Sequence, residues 1–215
     1  MTQFTSVHVF YLLQAARWTI LLSLIAIAGG AVLGLALALA RVSKLRMLRA
    51  LAIVYIQIVQ GTPLLILLFL SYFGLSLVGL RLDPLVAAGI SLTFYVGAFL
   101  GEIWRGCIEA VPRTQWEASD CLGLNRFQQY AYVVLPQAVR IAIPPTVGFL
   151  VQLIKNTSLA AVIGFIELTR EGQLTTATTF RPFTVYLIVA AIYFALCFPL
   201  TQVSRRLERR LHVAR

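Results

Sequence analysis

Apolar residues in this chain fall into long charge-free runs rather than into stripes of helical or alternating period. The runs are Trp18 to Ala40, Ala50 to Leu80, Pro84 to Gly101, Ile141 to Ile154 continuing past Lys155 to Ile166, and Pro182 to Ser204. Each approaches or exceeds the roughly 20 apolar residues with which a helix spans about 30 Å of hydrocarbon. Strands of a transmembrane barrel would instead show segments of about ten residues with alternating polarity. Inside lipid a segment must also pair its own backbone N–H and C=O groups, which a helix does and an isolated strand cannot. The pattern predicts an all-α integral membrane protein, one domain over residues 1–215, with five transmembrane helices and a polar segment at about 106–140 between the third and fourth.

Irregularities inside the runs refine this picture. The second run is too long for one straight crossing, and Gln60-Gly61-Thr62-Pro63 in its middle predicts a bend, because proline removes a backbone donor and crowds the preceding turn. Two readings stay open for it: a packing kink, or a break whose freed carbonyls line a water-filled path. Ahead of the first span, Phe4, Val7, Tyr11 and Ala15 recur at three- and four-residue spacing, so Met1 to Arg17 reads as a short amphipathic arm along the membrane surface. Gly29, Gly30 and Gly34, with Ala31, Ala36, Ala38 and Ala40, give the first span a face that can approach another helix closely. The third span, roughly Leu85 to Trp104, closes on Glu102-Ile103-Trp104-Arg105-Gly106, and the fourth is expected to begin after Pro144-Pro145. Glu167, Arg170 and Glu171 then open a solvated external loop that runs through Thr175, Thr176, Thr178 and Thr179 to Pro182.

Composition agrees with this reading, at 60% hydrophobic and 12% charged residues and a mean hydropathy of +0.86. A net charge of +10 raises the possibility of nucleic-acid binding, and its distribution answers it. Thirteen basic residues fall in Arg41–Arg49, Arg105–Arg140 and Arg205–Arg215, against four (Arg17, Arg81, Arg170, Arg181) on the opposite side. By the positive-inside rule the N-terminus is outside and the C-terminus cytoplasmic, and no nucleic-acid partner is expected. Cys107, Cys121 and Cys197 lack metal-ligand spacing and disulfides are not expected. Ala38-Leu39-Ala40 resembles a leader cleavage site, yet the apolar run is too long and cleavage would strand Arg41 to Arg49 on the outer face.

Candidate chemistry is sparse. Glu102 lies near the cytoplasmic end of the third span, where a carboxylate must face the bundle interior, a cavity or a cation. Arg105, three residues on, is its nearest partner, so a structural ion pair and a substrate contact both remain open. Lys155-Asn156-Thr157-Ser158 interrupts the fourth span in mid-membrane, where an ammonium costs several kcal/mol unless paired; it serves either a pathway or a broken helix. His8 and His212 lie near opposite ends, no Ser/His/Asp set can be assembled, and no catalytic residue or metal site is identified. A Gly-x-x-x-x-Gly-Lys-Ser/Thr loop is also missing. If ATP drives a process here, another polypeptide hydrolyses it, and no cofactor is assigned to this chain.

The polar segment carries the sharpest motif. Glu117, Ala118 and Ser119 would start a short helix with acidic charge near its N-terminal end, Gly123 would stop it, and Leu124 to Val134 would resume as a second helix with Phe127, Tyr130 and Val134 toward the bilayer, Pro136 bending the return. Glu-Ala-Ser, three residues, Gly, nine residues, then Val-x-Leu-Pro resembles the EAA signature of bacterial ABC importer permeases, with Ser119 for alanine and Val133 for isoleucine. Gly61-Thr62-Pro63, Glu102-Ile103-Trp104-Arg105-Gly106, Gln115-Trp116-Glu117-Ala118, Leu135-Pro136-Gln137-Ala138 and Lys155-Asn156-Thr157-Ser158-Leu159 are similar to the polar amino acid branch of that family.

The resemblance implies a permease of the bacterial inner membrane that pairs with a second permease, takes an amino acid from a periplasmic binding protein, and is driven by an ATPase dimer that binds ATP and Mg. It assigns ATPase coupling to Glu117, Ala118, Ser119, Gly123, Leu135 and Pro136. The substrate path falls to Gly61, Thr62, Pro63, Glu102, Lys155, Asn156, Thr157, Ser158 and Glu167. The chain departs from the family in Gln60, where arginine usually precedes Gly-Thr-Pro, and in Thr114, where glycine usually precedes Gln115. The alternative is a channel or gated pore that needs no ATPase and has no use for a docking helix.

Overall fold

The first helix of the computed structural model, which describes residues 4–212, runs unbroken from Ser6 to Val42 (α1). The expected surface arm is therefore the opening turns of the spanning helix itself. One face of these turns has a protein partner: Leu12 and Ala16 are buried against Leu168, Val185 and Val189, with Phe4 packed on them; of the expected stripe Ala15 is buried as well, whereas Val7 and Tyr11 stay exposed. Met1 to Gln3 lie outside the described residues, as does Arg215 of the terminal basic cluster.

Helix α2 (Arg46–Gly61) and helix α3 (Leu64–Leu77) meet at 101°, which is the bend expected at Gly61-Thr62-Pro63. The Thr62 hydroxyl donates to the Ile58 carbonyl at 2.7 Å, filling an acceptor that the interrupted helix leaves open. Helix α4 (Pro84–Glu109) starts on Pro84, with the Asp83 carboxylate accepting from the Leu85 N–H at 2.8 Å. Proline at the first helical position forfeits no hydrogen bond, since that N–H would be unpaired anyway.

Helices α1 and α4 run parallel and share the closest packing in the molecule. A Cβ built on Gly30 would stand 2.3 Å from Val96 Cγ1, one on Gly97 2.7 Å from Leu33 Cδ2, and one on Gly101 2.9 Å from Leu37 Cβ. The small-residue face of the first span is thus used as expected, and the glycines of α4 answer it.

After α4 come helix α5 (Arg113–Cys121) and helix α6 (Arg126–Ile163), which contains a wide π turn at Gln129–Val134 and tightens to 3₁₀ over Thr157–Ile163. The fourth span does not begin after Pro144-Pro145. Both prolines sit inside a continuous helix, and Ser204 of the last helix donates to the Pro144 carbonyl at 3.0 Å.

The expected external loop is also helical, as α7 (Leu168–Thr179). Glu167 is its N-cap, accepting from the Arg170 N–H at 2.9 Å, and Thr179 donates to the Thr175 carbonyl at 2.7 Å. Thr175 and Thr179 are buried because Gly172 lets α7 lie on the next helix, a Cβ there falling 2.9 Å from Val189 Cγ2. Phe180, at φ 54°, ends α7 in a left-handed cap, and helix α8 (Pro182–His212) follows. Helices α1, α4, α6 and α8 are each long and apolar enough to cross a membrane, and the bent α2–α3 pair brings the total to five if it counts as one span.

Candidate functional site

The C-terminal ends of α1 and α4, the short helix α5 and the start of α6 converge at one end of the bundle. Ile108, Val111, Val134 and Ala138 form a small core there, with Val42, Trp116, Tyr130, Val133 and Leu135 packed against it. Pro112, its φ fixed by the ring, turns the chain into α5. The helix begins at Arg113, so Glu117 sits in its middle and not at its positive end as expected; its charge faces solvent instead. Four further helical residues, Arg113 to Trp116, precede it because Trp116 has a ring to bury, edge-on to Tyr130 with centroids 5.1 Å apart.

The stop at Gly123 is as expected. Its φ of 71° is left-handed, its N–H bonds the Asp120 carbonyl at 3.0 Å, and the Leu124 N–H reaches the Ser119 carbonyl at 3.2 Å, which is the glycine-terminated Schellman turn. Asn125 and Gln128 then cap the next helix reciprocally, each side chain accepting from the other's backbone N–H at 3.0 Å.

Gln129 ties the two helices together. It is 1% exposed, donates to the Leu124 carbonyl at 3.1 Å and to the Asp120 carboxylate, and accepts from Arg126 at 3.3 Å. Sequence reasoning passed over it; the signal was a glutamine at the position where the apolar pattern of Phe127, Tyr130 and Val134 turns inward. Val134 itself is fully buried, against the expectation that it faces the bilayer, since the π turn holds an extra residue and rotates the positions beyond it. Pro136 sits within continuous helix rather than at a bend. Ser119 is 1% exposed and its hydroxyl is turned back to the Trp116 carbonyl at 2.7 Å. The outer face of the loop is left with Glu117, Ala118, Asp120, Cys121, Leu122 and Phe127, all exposed.

Glu102 has the expected partner and one more. Arg105 binds one carboxylate oxygen, Arg41 at the end of α1 approaches the other at 3.4 Å, and Arg105 also pairs with Glu109. The ion pair therefore bridges α1 and α4, a link invisible in sequence because its ends are 61 residues apart.

Lys155 is exposed and Asn156 half-buried, with Asn156 donating to the Tyr95 hydroxyl at 3.3 Å. Tyr95, Phe99 and Phe149 stack beside it, a cluster the sequence did not single out. Thr157 and Ser158 donate back to carbonyls of their own turn, each at 2.7 Å. Tyr95 and Glu102 are seven residues apart on α4, so the lysine cluster and the carboxylate lie at different depths, roughly 10 Å apart along the axis. Gly61 is exposed with open space about it, and Gln60 reaches the Ala98 carbonyl at 3.5 Å.

Glu167 is not solvated as expected, and its carboxylate is fully engaged by protein partners. It is completely buried, and accepts from Tyr193 at 2.8 Å and Thr19 at 3.4 Å, besides the Arg170 N–H. Lying outside the spanning segments, its carboxyl is pushed above the usual range by burial, with the donated hydrogen bonds pulling the other way. It pins α7 to α1 and α8. Among the described residues no group of His, Cys, Asp and Glu could hold a metal ion.

Residues 30–213 match the family described as binding-protein-dependent transport system inner membrane component. The probable amino-acid ABC transporter permease protein YckA of Bacillus subtilis is 37% identical over 200 residues, which are 93% of this chain and 88% of that protein. The glutamine transport system permease protein GlnP of Escherichia coli is 36% identical over 204 residues, 94% of this chain and 93% of that one. A solved amino acid ABC transporter, crystallised with histidines, superposes with a TM-score of 0.90 at 31% identity over 98% of this chain and all of that one. The MetNI methionine transporter shares the fold, with a TM-score of 0.71 at 19% identity over 95% of this chain and 99% of that one.

Proposed function

We propose a mode of action for a chain that belongs to the family of binding-protein-dependent transport system inner membrane components and is an amino-acid ABC transporter permease component. It forms, with a second permease, the path for a polar or charged amino acid through the bacterial inner membrane, with its N-terminus periplasmic. A separate ATPase dimer, which binds the ATP and Mg, docks on α5. A periplasmic binding protein delivers the substrate at the opposite end. Glu117, Ala118 and Gly123 are the docking surface, while Ser119, Leu135 and Pro136 belong to its support. Lys155 and Asn156, beside Tyr95, are the polar groups of the path.

The observation that carries this reading is the build of the loop. A nine-residue helix closed by a left-handed glycine, internally tied by Gln129 and wedged by Trp116, presents a rigid polar face at the end of the bundle. A loop serving only as a connection would need none of these ties. Support for sidedness comes from the Arg41–Glu102 pair and the Ser204–Pro144 bond, which bring the basic segments of α1, α4, α6 and α8 to the same end.

Cys121 offers a direct test, since it is exposed on α5 while Cys107 and Cys197 are buried. Maleimide labelling of Cys121 should be fast in the isolated permease and strongly slowed when the cognate ATPase is co-expressed, and Glu117→Lys should restore fast labelling and abolish uptake. Equal labelling with and without the ATPase, in membranes where both subunits co-purify, refutes docking at α5.

A further inference from the structure

The end of the bundle that holds α5 carries a second feature that coupling does not use. Phe194, Phe198, Arg205 and Arg209 stand at i, i+4, i+11 and i+15 of α8, which at 100° per residue places them in one stripe. All four are exposed, and the two rings stack with centroids 5.0 Å apart. The bond from Ser204 to the Pro144 carbonyl sets α6 antiparallel beside this stretch. One turn from Pro144 toward the α5 end lies Arg140, also exposed, level with the arginines of α8. Among the described residues Arg140, Arg205 and Arg209 form no salt bridge, and Glu208 is the one acid of the last two turns of α8. The positive-inside rule accounts for basic charge on this side; it does not call for alignment with stacked aromatic rings.

We propose that this stripe is a binding site for an anionic phospholipid. Arg140, Arg205 and Arg209 hold the phosphate-bearing headgroup, guanidinium forks matching phosphate oxygens in pairs, and Phe198 and Phe194 receive the upper part of an acyl chain. Phe198 lies seven residues from Arg205, about 10 Å along the helix, a spacing that puts the rings below the headgroup in the hydrocarbon. Basic clusters at the membrane-facing end of transmembrane helices draw anionic headgroups in this way.

The test uses the full-length permease without its ATPase, so that it stands apart from the coupling reading. The protein is placed in phosphatidylcholine nanodiscs with and without phosphatidylglycerol, thermal unfolding is followed, and retained lipids are counted by native mass spectrometry. Phosphatidylglycerol should raise the unfolding temperature and remain bound. Arg140→Gln, Arg205→Gln and Arg209→Gln combined should remove the shift and weaken retention about a hundredfold, while Arg46→Gln with Arg49→Gln, basic residues of the same side on α2, should leave both unchanged. If the combined variant does not fold, the three Arg→Lys changes keep the charge and should still lower retention, because lysine cannot bind phosphate bidentately. Undiminished retention in the glutamine variant overturns the proposal, as does an equal loss in the α2 variant, which would mean diffuse charge. An equal thermal shift from inorganic phosphate would mean an anion site, which also overturns it.

Discussion

Gly30→Ala tests whether α1 and α4 are one mechanical unit. The added methyl would stand 2.3 Å from Val96 Cγ1 and 2.5 Å from Val96 Cβ, where carbon atoms rest at about 3.5–4.0 Å. A change of Val96 rotamer can move its Cγ1 but not its Cβ, which the backbone fixes, and Val96 is fully buried. The helices must therefore separate by roughly 1 Å, loosening the contacts around Gly34, Gly97 and Gly101 along the same seam. Overpacking costs typically 1–3 kcal/mol. The upper end applies here because backbone must move, and alanine returns up to about 1 kcal/mol of helix propensity. A net loss of about 2 kcal/mol lowers the unfolding temperature by roughly 4–8 °C for a chain of this size. The assay is thermal unfolding in detergent with a thiol-reactive fluorophore that reports buried Cys107 and Cys197, in a Cys121→Ser background. Gly106→Ala, whose Cβ would meet nothing within 4 Å, should be neutral or slightly stabilised. Adding Val96→Ala should not rescue Gly30→Ala, since the offending Cβ remains, whereas Val96→Gly should. If Gly30→Ala melts with Gly106→Ala, the close-packing argument is wrong.

Gln129→Leu leaves the Leu124 carbonyl and Asp120 without their shared donor, at about 1–3 kcal/mol; hydrogen exchange at Gly123 and Leu124 should speed up while the bundle's melting temperature holds, and unchanged exchange would dismiss Gln129 as the tie. A double-mutant cycle of Arg41→Met with Glu102→Gln should give a coupling of about 0.5–1 kcal/mol, because both groups are partly exposed, and strict additivity would rule out the bridge. Lys155→Met should leave the melting temperature unchanged, as Lys155 is exposed, yet reduce substrate-stimulated ATPase activity of the assembled transporter; full stimulation would make Lys155 scaffold. Glu167→Gln reports on pH. A carboxyl raised by burial makes the folded state bind the proton more tightly, so its stabilisation is full below the ordinary carboxylate pKa and is lost as pH rises through the raised value. Relative to the unmodified chain the glutamine variant should therefore gain stability as pH increases from that range upward, and a pH-independent difference between the two melting curves would contradict the assignment.

The spans, the bend at Gly61-Thr62-Pro63, the small-residue face of α1 and the glycine stop at Gly123 were legible because each is a local property: run length, proline stereochemistry, the absence of a Cβ. The features that sequence reading got wrong share a different cause. The opening turns of α1 and the segment after Glu167 carry amphipathic or polar residues that sequence assigns to the membrane surface and to water. In the structure the two segments pack on each other and on α8, joining parts of the chain up to 148 residues apart, as when Thr19 donates to Glu167. The prolines of α6 look like a boundary because their penalty is local, while the last helix that packs on this turn, through Ser204, is 60 residues off. In the candidate site, the motif positions of α5 stood out by spacing, while Gln129, which ties the loop together, and Arg41, which joins α4 to the first span, stood out by nothing until they were placed.

On the proposed function, those ties decide where movement can occur. A displacement of α5 acts on α4 through the short connection at Ala110–Pro112, on α6 through Gln129 and the Trp116–Tyr130 contact, and on α1 through Val42 in the shared apolar core. Helices α1 and α4 are further locked by interdigitated glycines and by Arg41–Glu102, so they respond together. Helix α7 at the far end is pinned to α1 and α8 by Glu167. Among the described residues the α2–α3 joint has neither an ion pair nor an interdigitated glycine. Gly61 is exposed with open space around it, and the joint is held on either side by the apolar burial of Val59 and Leu64 and by the long contact from Gln60 to Ala98 at 3.5 Å. A push delivered at α5 should thus be conserved through α1, α4 and α6 and relieved at Gly61-Thr62-Pro63, which makes that bend the place where a gate can change shape without unpacking the bundle.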